Sequence, residues 1–171
     1  MEAQISSTAR IFPSSTRSDT IVRVKRPHVY PGGEPLLVHP ELAGMGPAEY
    51  DLGALHVVPY GPEGSLTVHH IYDRVRFRKG LLRILGFTDT GATGLRGCLD
   101  VADGLAIKEK GLEVFREFFS GKTVWLLRST VNNGGTLGAP CLFESRNEVA
   151  VRFYTFDTVA PKDSITAHYA R

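Results

Sequence analysis

The feature that most constrains this chain is helical periodicity over residues 103–119, running almost at once into a strand-length stretch without a charge, Thr123-Val124-Trp125-Leu126-Leu127. On a wheel advancing about 100° per residue, Leu105, Ile107, Gly111, Leu112, Val114, Phe115, Phe118 and Phe119 gather on one side, and Glu109, Glu113, Arg116 and Glu117 on the other. This predicts one amphipathic helix. The Asp103 carboxylate caps its first-turn amides, and Gly121 closes its last turn in the left-handed conformation. The run 123–127 has no polar face to show to water, so it is expected as a central strand covered on both sides, with the helix on one of them.

With that run as its first strand, the punctuation that follows spells a three-stranded meander ending at Tyr154. Asn132-Asn133-Gly134-Gly135 tolerates the positive φ of a tight hairpin, and Arg146-Asn147 makes the second turn. Pro140 has no amide hydrogen to donate, so pairing of the middle strand is expected after it, over residues 141–144. Val149, Val151 and Phe153 alternate with Ala150, Arg152 and Tyr154, which gives the last strand one inward face. The fold class predicted is α+β: an antiparallel sheet whose C-terminal meander packs on one long amphipathic helix, with a second, shorter helix and a loop-rich N-terminal lobe.

That lobe spans residues 27–64, which hold seven prolines and seven glycines. A first strand is expected over 21–25, and the short apolar runs 36–38, 55–58 and 66–69 suggest brief further strands. A loop-rich stretch of this length in a compact domain is commonly functional, so a ligand or partner surface is looked for there. Residues 71–85 fit a helix ended by Gly86, with Phe77, Leu81, Ile84 and Leu85 on one side. The segment Arg74-Val75-Arg76-Phe77-Arg78 also alternates as a strand would. The helix is the preferred reading.

A chain of 171 residues with 42% apolar side chains suffices for one core, so residues 21–171 are expected as a single domain behind a polar arm, 1–20. The Ser- and Thr-rich arm, with Arg10 and Arg17, is similar in composition to an organellar transit peptide, although Glu2 and Asp19 argue against import. Twenty basic against eighteen acidic residues leave a net charge of +2, too small to imply a polyanionic partner. Two cysteines, Cys98 and Cys141, are too few for a disulfide framework, and reduced, buried thiols point to a soluble intracellular, cytoplasmic protein. No apolar run approaches the roughly 18 residues that span a bilayer, so no membrane partner is expected.

Five basic residues, Arg74, Arg76, Arg78, Lys79 and Arg83, lie close together with Tyr72 and Phe77 between them. Such a patch can grip phosphates, which makes weak nucleic-acid binding through Arg74, Arg76, Lys79 and Arg83 one alternative; a solvated helix face is the plainer reading. His69 and Asp73, at i and i+4, would share one helix face as two metal ligands, and His39, Glu41 and His56 would have to complete the set. Two ligands are not a site, and no metal or cofactor is expected. Cys98 beside a histidine would be a nucleophile, but a buried structural thiol is the preferred reading. The row Glu109, Glu113 and Glu117 is expected to face solvent or a basic partner.

Asp89-Thr90-Gly91-Ala92 resembles the active-site loop of retroviral-type aspartic proteases. In that family two such loops, one from each protomer of a homodimer, bring two carboxylates together to share one proton and activate a water. The resemblance implies Asp89 as the catalytic acid/base, Thr90 as a support of the loop and Gly91 as a point of close backbone approach. Read from the residues alone, the same segment is a Gly/Thr-rich turn between helices in which Asp89 caps backbone amides. No set of side chains joins the right types to a supportive context. The leading expectation is therefore a non-catalytic binding or protein-interaction domain, its ligand a protein or small molecule.

Overall fold

A computed structural model describes residues 21–25, 36–37, 46–60, 66–76, 95–133 and 135–170. In chain order its first half holds strands β1 (Arg23–Lys25), β2 (Leu36–Leu37) and β3 (Glu49–Asp51), a 3-10 turn (Leu52–Ala54), strand β4 (His56–Tyr60) and helix α1 (Val68–Arg76). Helices α2 (Val101–Glu109) and α3 (Leu112–Phe119) follow, then strands β5 (Thr123–Trp125), β6 (Ser129–Asn133), β7 (Thr136–Ser145), β8 (Glu148–Thr155) and β9 (Ser164–His168). The fold is α+β. Among the described residues no helix is long and apolar enough to cross a membrane.

The helix predicted over 103–119 is two helices. Gly111, counted on the apolar face of the wheel, instead takes φ +94°, and a Cβ there would meet nothing, so the position needs its conformation and not its small size. The amides of Lys110 and Gly111 close α2 on the carbonyls of Ile107 and Lys108, and Phe115 N–H opens α3 on the Gly111 carbonyl. The start lies three residues earlier than expected as well. Asp100 is the cap, accepting from Asp103 N–H at 3.1 Å while Asp103 Oδ2 accepts from Asp100 N–H at 2.8 Å, a reciprocal box that places Asp103 inside the first turn. Gly121 takes the left-handed conformation predicted for it, at φ +69°.

β5 is central, antiparallel to β7 and parallel to β9, and residues 123–127 are buried throughout. Alternation divides them between two cores. Val124 and Leu126 join Ile107, Phe115, Phe118 and Phe119 under α2 and α3, whereas Trp125 and Leu127 join Val68, Ile71, Tyr72 and Val75 of α1 on the opposite face. Gly104 permits the close approach of α2, since a Cβ there would stand 2.5 Å from Leu126 Cδ1. The small β1–β3 sheet adds Val24 and Tyr50 to the first core.

The meander is β6-β7-β8, not one led by 123–127. Its hairpins turn at Gly135 (φ +90°) and at Arg146-Asn147, where Arg146 and Asn147 have positive φ of 52° and 60°. β7 is ten residues long and begins before Pro140, contrary to expectation. One edge of β7 is shared: β6 takes Thr136, Leu137 and Gly138, and β5 takes Cys141 and Leu142. Pro140 lies opposite the break between them, where its carbonyl accepts from Leu126 N–H at 3.0 Å. A residue's amide and carbonyl point to the same edge of a strand, so the hydrogen that Pro140 lacks would have faced a gap in the ladder.

The remaining corrections concern ends. Residues 66–69 do not form a strand: Thr67 caps α1, its N–H donating to His70 Nδ1 at 3.1 Å and its Oγ1 accepting from His70 N–H at 3.2 Å. The strand alternative at 74–76 is likewise replaced by helix; residues 77–85 lie outside the described residues. Phe153 shares a face with Val149 and Val151 but is 48% exposed, because the helical core covers only the first half of β8.

Candidate functional site

β9 and the segment 97–99 bring the chemistry-bearing side chains together. Leu99 N–H donates to the Ala167 carbonyl and Tyr169 N–H to that of Gly97, which lays Cys98 opposite His168 just past the end of β5. Cys98 Sγ stands 3.6 Å from His168 Nδ1, His168 Nε2 lies 3.0 Å from Thr166 Oγ1, and the Tyr60 hydroxyl accepts from Thr166 Oγ1 at 3.5 Å. The thiol is fully buried, and burial pushes it up to about 12 against the smaller opposing pull of the Arg128 charge. At neutral pH Cys98 is therefore a thiol inside the protein, without the thiolate character that a nucleophile needs.

A second network adjoins it. Arg128 Nη2 donates to Asp100 Oδ2 at 2.8 Å and to the Tyr169 hydroxyl at 3.0 Å, and Arg128 Nη1 donates to the Arg96 carbonyl at 3.3 Å. The Tyr169 hydroxyl donates to Asp103 Oδ2 at 2.6 Å, and the guanidinium lies 5.3 Å from the Tyr169 ring centre. All three charged side chains are buried. The two aspartates are also the capping pair of α2, so one cation ties the helix start, the 96–100 segment and the C-terminal strand together. Sequence reasoning missed this network, although the signal was present: an arginine directly after five buried positions needs an internal acid.

The residues singled out from the sequence fall only in part among the described ones. Asp89, Thr90, Gly91, Arg78, Lys79, Arg83, His39 and Glu41 lie outside the described residues. Arg74 and Arg76 occupy the last turn of α1, Arg74 exposed and Arg76 half-buried. His69 and Asp73 do pair, at 3.4 Å, while His70 is occupied in the cap and the His56 ring sits 6.5 Å from that of His168. Among the described residues no three His, Cys, Asp or Glu side chains converge to hold a metal ion. Cys141 is buried in the α1-side core, its thiol pushed up to about 12 by burial. The Tyr72 phenol, raised to about 12 chiefly by burial, has no hydrogen-bond partner among the described residues and lies against Phe156.

The outer edge of the sheet differs in kind. β8 pairs with β7 without interruption from Glu148↔Ser145 to Thr155↔Gly138, and among the described residues nothing pairs with its other edge. Pro140 faces away from β8, so its partner Phe153 forms a non-hydrogen-bonded pair and directs its own N–H and C=O outward. By alternation Val149 and Val151 do the same. Exposed Phe153 and Arg152 stand on opposite faces of this edge. Compared with protein-family models, curated proteins and solved structures, the chain matches none.

Proposed function

We propose that this chain is a non-catalytic interaction domain that binds an extended segment of a partner along the open edge of β8. The observation that carries this reading is the regularity of that edge. β8 is eight residues long, with no proline and an unbroken register, and three successive outward residues offer a donor and an acceptor each. Natural edge strands are ordinarily blunted by bulges, prolines or charges, and a flat one with an exposed aromatic is suited to strand addition, in which main-chain bonds supply affinity and alternate side chains supply specificity. The buried thiols of Cys98 and Cys141 fit a reducing compartment and so an intracellular, cytoplasmic setting.

The test is recovery of the untagged protein from its own cell, with mass-spectrometric identification of whatever accompanies it, compared with Phe153→Lys and Val151→Pro. Proline at 151 removes an outward amide and fits an edge position. Partners held by the wild type and lost from both variants are the expected result. An identical partner set in all three proteins overturns the reading.

A further inference from the structure

We infer that the segment added to β8 is β8 of a second copy of this chain, antiparallel and related by a two-fold axis through Val151. The inference rests on the proposed role of this edge and adds the identity and register of its occupant. Val149, Val151 and Phe153 each direct an N–H and a C=O outward, whereas the carbonyl of Thr155, next on that edge, is taken by Thr158 N–H, so a symmetric antiparallel pairing is centred on one of these three residues or on the one between two of them. Centring it on Val151 pairs residues 148–154 with themselves in reverse. Val149 meets Phe153 of the other copy, Val151 meets its own image, and Phe153 meets Val149, giving about six main-chain hydrogen bonds.

These three apolar pairs fall on the face that α2 and α3 cover over its first half, and they extend the core that Val149 and Val151 line while covering the exposed Phe153 ring. On the opposite face Arg152 meets Ala150 and lies diagonal to Glu148 of the other copy, within reach of its long side chain. Neighbouring registers are worse. An axis through Arg152 opposes two guanidinium groups directly, and one through Ala150 leaves Phe153 unpaired and exposed. A pairing that matches apolar to apolar on one face and sets acid diagonal to base on the other selects its own partner, and closed two-fold symmetry makes it finite.

Sedimentation of the full chain over a micromolar concentration series tests the partner, with Val151→Cys and Phe153→Cys testing the register. A species of twice the 18.7 kDa of one chain is expected at high concentration, with Phe153→Lys shifted to monomer and circular dichroism unchanged. Under mild oxidation Val151→Cys is expected to cross-link, because directly opposed hydrogen-bonded residues lie about 5.5 Å apart between Cα atoms, within disulfide reach. Phe153→Cys is not, since its image lies several residues away along the strand. A monomer throughout, or a dimer indifferent to Phe153→Lys, overturns the inference, and cross-linking at 153 instead of 151 overturns the register. Cellular partners lost with Phe153→Lys while the pure chain stays monomeric would leave the interaction role standing and remove only the second copy.

Discussion

Arg128 and Arg116 each bind two acidic side chains, and their surroundings make them opposites. Arg128 reaches Asp100 and Asp103 with all three side chains buried. Arg116, on α3, reaches Glu144 of β7 at 2.6 Å and Glu113 at 3.5 Å, with Glu113 almost fully exposed. Taking a charge out of water costs several kcal/mol, which only close partners offset, so removing one member of a buried set strands the others. At the surface water replaces the lost partner. The same ion-pair chemistry should therefore act as an internal fastening in the first case and as a trim on the surface in the second.

The sharpest way to break this contrast is Arg128→Met, which keeps much of the volume and leaves two buried carboxylates without their cation. A loss of about 3–5 kcal/mol is expected in chemical denaturation. Adding Asp100→Asn should recover part of it, because asparagine still caps α2 and no longer carries a charge needing compensation. Simple additivity of the two losses would mean that the burial of this network does not govern its energetics.

The buried thiols extend the contrast to alkaline pH. Cys98 and Cys141 are both pushed up to about 12 by burial, from ordinary values near 9. Below about pH 9 folded and unfolded chains hold these protons alike. Above it the unfolded chain releases them first, binds fewer protons than the folded chain, and gains relative stability. Stability should fall between about pH 9 and about 12, and the fall should be shallower in Cys141→Ala once its baseline loss is subtracted. An unchanged slope would show that the thiol at 141 meets water in the folded protein.

How much of this was legible in advance follows the range of each interaction. The two-sided burial of 123–127 and the turns at Gly135 and Arg146-Asn147 depend on neighbours in sequence, and they appear where pattern placed them. The break at Gly111 did not show, because a wheel scores glycine as small and apolar and says nothing of its freedom to take positive φ. Pro140 misled for a related reason: its missing donor matters only on one edge, and which edge depends on the break at Leu126. β9 escaped notice altogether because Ser164 and Thr166 sit on a buried face, where Trp125 Nε1 donates to Ser164 Oγ at 2.9 Å and Thr166 meets His168. Satisfied polar residues inside a strand buried on both faces break the continuous apolar run that would have announced it as central. The Cys98–His168 and Arg128–Asp100 contacts join residues 70 and 28 positions apart, and no local period carries that information. β8, unpaired on its outer edge among the described residues, was legible only as a strand, since an edge is defined by what lies beside it.

The smallest effect is expected at Arg116, and it completes the contrast. The hydrogen bonds from Arg116 hold the Glu144 carboxyl below its ordinary value, and this depressed carboxylate stabilises the fold above the usual carboxylate range and loses that contribution as pH falls through its lowered value. The pair lies at the surface, so salt screens it and water stands ready to replace either partner. Arg116→Ala should leave the unfolding midpoint at neutral pH close to wild type, and whatever small difference exists at low ionic strength should vanish in about 1 M salt. The acid limb is the more telling readout: without Arg116, Glu144 titrates nearer its ordinary value, and the wild type and variant should converge as pH falls. A large, salt-resistant loss in Arg116→Ala would instead show that the link from α3 to the β7–β8 hairpin is as much a fastening as the one at Arg128. Exposure alone would then no longer separate the two arginines.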